Sequence, residues 1–158
     1  MVLWFVALSF ASVLLVFDSV ALDYRLIMVG SIMPWLDFVW GPPWPLHTIL
    51  FPVALMTAVM VLGWGRRLVQ RRWLGLAIGV FAHLLLAGTW TSRELFWWPL
   101  GGDADNARPA VPSVPVAIVL EAAGALVALW LWRRLGLASA QRRADLALRG
   151  RVDRAALR

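Results

Sequence analysis

Four ionisable side chains stand inside otherwise apolar stretches of this 158-residue chain: Asp37, His47, His83 and Glu121. His47 and His83 are its only histidines. An ionisable group at membrane depth costs about 2.5–3.5 kcal/mol at a helix centre, so it usually faces the protein interior and has a partner. Two imidazoles and two carboxylates make a ligand set for a divalent ion, zinc or the harder manganese. An open position on such an ion would activate water. The plainer alternative is local. His83 would pair with Glu121, and Asp37 and His47 would be capping groups near helix ends.

The surrounding composition sets the class. The chain is 61% hydrophobic and 15% charged, and its mean hydropathy is +0.75. Soluble domains run at about 45–50% apolar and about 25% charged, so these values point to an integral membrane protein. The absence of cysteine excludes disulfides, thiolate nucleophiles and Cys-type zinc sites. Fifteen arginines and no lysine read as codon bias of a GC-rich bacterial genome. The expected location is therefore a bacterial plasma membrane.

A spanning helix takes about 20 mostly apolar residues. Five stretches qualify: 2–17, 22–40, 46–64, 73–90 and 114–132. The expected fold is all-α, a bundle of about five transmembrane helices over residues 1–132. The second stretch contains Pro34 and Asp37, so four spans plus a re-entrant segment is the alternative. The first could instead be a signal peptide with "SVA" before Leu22, but it lacks a basic start, which favours an uncleaved helix.

Charge orients this bundle. Residues 133–158 hold eight arginines against Asp145 and Asp153, which accounts for the whole net charge of +6. The loop "RRLVQRR", 66–72, holds four more. The positive-inside rule puts both in the cytoplasm, and two crossings separate them, so the placements agree. The tail is expected to be an amphipathic helix on anionic lipid, or a frayed, solvated segment. Nucleic acid is the less favoured partner for it. Nearly all of the eleven tryptophans fall at span ends, where indole rings prefer the headgroup level.

Depth ties the four ionisable residues together. His83 lies seven residues before Trp90 and Glu121 seven after Val114, so each sits roughly 10 Å below the outer interface. Asp37 precedes Trp40 by three residues, and His47 opens the third stretch. All four fall in the outer half, on four different helices. "GLAIG", 75–79, and "EAAGA", 121–125, carry small residues at close-approach spacing and read as packing faces.

The stretches "DYRLIMVGSIMPWLDFVW", "LHTILF" and "FAHLLLAGTWTSRELFWWP", taken in that order, resemble the YdjM-like membrane-bound metal-dependent hydrolases of bacteria. That resemblance covers about residues 23–102. It implies that Asp37, His47 and His83 are metal ligands and that the activity is metal-dependent hydrolysis; the expected substrate is an ester or phosphoester of a lipid-like molecule. Two positions depart from the family pattern. Trp35 stands where the family has a first acid, and Ala87 where it has an acid four residues after the late histidine. Residues i and i+4 share a helix face, so that acid could bind the ion or orient its ligand; Ala87 can do neither. Glu121 is the candidate fourth ligand. The competing expectation is a non-catalytic scaffold or complex subunit that kept the bundle and lost part of the site. A proton-relay or transport role for His83 and Glu121 has less behind it, since no internal repeat is visible.

Overall fold

The computed structural model describes residues 1–17, 19, 22–42, 44–101, 108–150 and 152. Asp18, the "SVA" cleavage motif beyond Ser19, the centre of the loop after Leu100 and the last arginines of the tail lie outside the described residues. Among the described residues there are helices and no strand. The chain runs α1 (Val2–Phe17), α2 (Tyr24–Ile32), a 3-10 turn (Met33–Leu36), α3 (Asp37–Trp40), a second 3-10 turn (Pro45–His47), α4 (Leu50–Leu62) and α5 (Arg67–Leu86). A third 3-10 turn (Thr89–Thr91), α6 (Arg93–Phe96), α7 (Val114–Arg134) and α8 (Ala140–Arg149) follow.

The expectation of about five spanning helices, or four plus a re-entrant segment, is corrected here. Among the described residues only α7 is both long and apolar enough to cross a membrane. At 1.5 Å per residue its 21 residues reach about 31 Å, close to the hydrocarbon thickness. The 16 residues of α1 reach about 24 Å and the 13 of α4 about 20 Å. The stretch 22–40 breaks into α2, a 3-10 turn and α3, with Pro34 in the turn. Proline has no N–H for the turn before it, and its ring clashes there. The stretch 46–64 loses its start to the Pro45–His47 turn. Helix α5 is long enough, but Gln70, Arg71, Arg72 and His83 dilute its apolar content. Counting apolar residues measured composition, while helix breaks decided length.

Helix α5 packs most extensively against α2, and α1 packs against α7 and α2. Glycines make those approaches possible. A Cβ on Gly79 would collide with the Ile27 carbonyl of α2, and one on Gly30 with the Leu76 carbonyl of α5. A Cβ on Gly124 of α7 would strike the backbone of Leu3 and Trp4. Both small-residue motifs therefore sit at helix crossings, as their spacing suggests. The main core joins Phe10 and Leu14 of α1, Tyr24 and Ile27 of α2, and Leu131 of α7.

The tail is attached to that core. Leu135 and Val152 are buried in it, and Leu137 and Leu146 pack against it. Tyr24 N–H donates to the Gly150 carbonyl at 3.0 Å, and Arg25 donates to the Ala147 carbonyl at 2.9 Å. The anchor is Asp23, the N-cap of α2, which accepts from Arg25 at 2.9 Å and from Arg72 of α5 at 3.0 Å. Burial alone would push the Asp23 carboxyl up, but its bonds to Arg25, with the charge of that residue and a bond from Arg72, hold it below the usual carboxylate range. In the described part, 133–150 and 152, the tail is folded back on the α2 start rather than detached.

Candidate functional site: a buried aspartate and two histidines

Asp37, His47 and His83 are brought together by the breaks in the second and third apolar stretches. The 3-10 turn after α2 ends at Asp37, and the Pro45–His47 turn places His47 opposite it. Asp37 Oδ2 accepts from the backbone N–H of Leu46 at 2.9 Å and of His47 at 3.1 Å. The same oxygen accepts from His47 Nδ1 at 2.9 Å. One carboxylate oxygen therefore fixes both the turn and the imidazole. The other oxygen, Asp37 Oδ1, is buried with no hydrogen-bond partner among the described residues, and leaving a buried acceptor unmet is costly.

His83 reaches the cluster from α5. Its Nδ1 lies 2.6 Å from the Ser31 carbonyl in the last turn of α2, the turn just before Pro34. A carbonyl only accepts, so the ring donates from Nδ1 and carries its lone pair on Nε2. The His47 ring, donating from Nδ1 to a carboxylate, is in the same tautomer. The rings meet edge to face with centroids 5.6 Å apart. Phe5 of α1 stacks on His83 at 4.0 Å, and the Phe38 and His47 rings meet at nearly right angles with centroids 5.7 Å apart. Asp37, His47 and His83 are each at most 2% exposed. Burial pushes the His83 ring down to about 4, against the bond to Ser31 that favours its charged form; the nearby His47 adds to the lowering. At neutral pH it is an uncharged ring.

Glu121 has other work. Its carboxylate accepts from the backbone N–H of Leu3 at 3.2 Å and of Trp4 at 3.4 Å. Those are unpaired donors of the first turn of α1, where a negative charge is also favoured by the helix dipole. The structure therefore brings together three of the four expected residues and gives the fourth to a helix end. His83 pairs with Ser31 and not with Glu121.

Other features had weak sequence signals. Nothing in the sequence marked the Ser31 carbonyl as a partner, although Pro34 three residues on advertised a disturbed helix. Phe5 sits in a uniformly apolar helix and gave no sign of stacking on a histidine. Trp35, in the place of the family's first acid, is partly exposed and meets Phe5 edge to face at 6.4 Å. Ala87 is the C-cap of α5, its N–H donating to the His83 carbonyl at 2.8 Å.

Among the described residues no group of three or more His, Cys, Asp or Glu side chains is arranged to hold a metal ion. The donor set on offer is smaller. Among the described residues neither Nε2 atom has a hydrogen bond, while each Nδ1 is held by an oxygen. This is the arrangement in which ligating histidines are ordered from behind by a carbonyl or a carboxylate. Two nitrogens are fewer than the four protein ligands of a closed structural zinc site.

The chain matches no protein-family model, no curated protein and no solved structure. The likeness to YdjM-like hydrolases thus rests on the three short stretches alone.

Proposed function

We propose that the chain is a bacterial plasma-membrane protein with a two-histidine centre for a divalent ion, used to hydrolyse an ester or phosphoester of a lipid-like substrate. The observation that supports this reading is that each ring sets its Nδ1 against a fixed oxygen, Asp37 Oδ2 for His47 and the Ser31 carbonyl for His83. His47 and His83 both spend Nδ1 on a fixed oxygen and keep Nε2 for something else. His47 and His83 are the proposed ligands. Asp37 orients His47 from the opposite side of the ring and is left with one oxygen to hold a water. Zinc suits two nitrogen donors better than manganese does. Bound there, such an ion would supply Lewis acidity toward an ester or phosphoryl oxygen.

The membrane half of the reading rests on surface chemistry. Helix α7 exposes Ile118, Val119 and Leu126 at 64–69%, and soluble monomers rarely present so continuous an apolar face. Arg133 and Arg134 close the helix, which on the positive-inside rule puts that end and the following tail in the cytoplasm.

A second reading, a non-catalytic scaffold in a membrane complex, is favoured by one observation: the three site residues are almost wholly enclosed. Ala87 and Trp35, where the resembled family has acids, lean the same way. Assay of the purified full-length protein separates the two. Loaded with zinc or manganese, it is expected to cleave a chromogenic ester or phosphodiester, with at least a hundredfold loss in both H47A and H83A. Turnover that is absent in the metal-loaded protein, or unchanged in both variants, would leave the scaffold.

A further inference from the structure

Trp44 differs from the tryptophan four residues before it. Trp40 is 72% exposed, as suits an indole ring at a headgroup boundary, whereas Trp44 is 9% exposed. Its backbone is in the left-handed region, at φ +59 and ψ 50. Among the described residues it is the only non-glycine with a positive φ. A bulky side chain rarely adopts that conformation, and residues held in it cluster at functional sites. Its indole Nε1 is buried and has no hydrogen-bond partner among the described residues. A buried indole N–H ordinarily finds an acceptor, and burial here shuts out the water that would satisfy a ring at the interface.

This residue is built into the two-histidine centre. Its carbonyl accepts from the His47 N–H at 3.0 Å, so the strained position opens the very turn that carries His47. Its ring lies 5.4 Å from that of Phe38, which in turn meets the His47 ring. Leu95 of α6, fully buried, packs with it. Helix α6 is tied to the same region by the Ile49 N–H, which donates to the Phe96 carbonyl at 3.0 Å. Asp37 Oδ1 is the complementary orphan, an acceptor on the residue whose other oxygen holds this turn. One unmet donor and one unmet acceptor therefore stand at a single turn without bonding each other.

We infer that the Trp44 N–H is a ligand-binding donor of this centre and holds an unprotonated oxygen of the substrate, the carbonyl oxygen of an ester or an oxygen of a phosphoester. An indole N–H only donates, so its partner must offer a lone pair, and an ammonium group cannot. Phe38 and Leu95 make the surroundings apolar, where a hydrogen bond is electrostatically stronger than in water. Leaving the N–H unmet is costly in the ligand-free chain, so an oxygen brought by a ligand gains affinity. This rests on the hydrolysis reading above and names the group that the centre would grip.

The test is an equilibrium titration of the zinc-loaded full-length protein, in detergent, with inorganic phosphate and with butyrate, which present the two kinds of oxygen. The native protein is expected to bind at least one of them, and W44F about tenfold more weakly, since phenylalanine keeps a ring and loses the N–H. W64F, at a ring 84% exposed, is expected to match the native protein. W44H restores a ring N–H on a smaller side chain and is expected to bind more tightly than W44F. Equal affinity in W44F and native, no binding of either oxyanion by the native protein, or W44H no better than W44F would overturn the donor; the last result would leave Trp44 as packing alone. Cleavage of the chromogenic substrates is scored on its own. Turnover with equal affinity in W44F loses this donor alone, whereas Trp44-dependent binding without turnover keeps the donor and loses the hydrolysis reading.

Discussion

Asp37 Oδ2 lies 2.9 Å from His47 Nδ1 in a setting where both residues are almost completely buried. The carboxylate thereby fixes which nitrogen of the ring is free. Replacing it with asparagine keeps the volume and removes the charge. D37N is expected to weaken metal affinity by about 10–100-fold, the usual effect of losing an orienting carboxylate. Isothermal titration with zinc checks this, and an affinity equal to that of the native protein would show that Asp37 serves only the Pro45–His47 turn.

His83 gives the account a pH dependence. Its ring is held near 4, against the ordinary 6.5 that an unfolded chain would show. A depressed histidine contributes stability that is complete above the unfolded value and is lost as pH falls from 6.5 toward 4, because the unfolded chain binds the proton first. The full loss is of order 3 kcal/mol. The lowered carboxyl of Asp23 acts in the same direction at still lower pH. Thermal unfolding of the detergent-solubilised protein between pH 7.5 and 4.5 is expected to show the slope, flattened in H83Q. A flat profile in the native protein would mean the ring is not sequestered.

How far this site could be read from sequence differs by residue. Asp37, His47 and His83 announced themselves because an ionisable group in an apolar stretch needs a partner, and composition alone reveals that mismatch. Glu121 obeyed the same rule, yet its partners were backbone N–H groups of a distant helix end, which have no signature in side-chain identity. The number of crossings was misjudged for a related reason. Apolar content persists through Pro34 and Pro45, while helical length does not, so residues 22–40 and 46–64 looked like spans and folded as short segments. Those same breaks are what let Asp37 and His47 face each other.

The crossing of α2 and α5 positions His83 on Ser31, so close packing there should matter to the site. G79A is expected to destabilise the protein by about 2 kcal/mol or more, since the Ile27 backbone must move to admit a methyl group. G65A, at a turn glycine with open space but φ +77, is the milder comparison. Denaturant unfolding followed by tryptophan fluorescence would read the difference, and an unperturbed midpoint for G79A would contradict the observed crossing.

Glu121 separates stability from metal chemistry. E121A removes the acceptor of the Leu3 and Trp4 N–H groups and is expected to cost about 1 kcal/mol, as the loss of a helix cap does. Zinc uptake in the loading assay is expected to be unchanged. Loss of metal in E121A with the melting temperature unchanged would instead restore Glu121 as a ligand.

The central claim is that the Nε2 atoms of His47 and His83 bind one divalent ion. Its most direct test is the metal content of the purified full-length chain after zinc loading and exhaustive dialysis, measured by plasma mass spectrometry. The account expects about one zinc per chain in the native protein and in E121Q, falling close to zero in H47A and in H83A. Native protein that retains no ion, or H83A that retains as much as native, would contradict it.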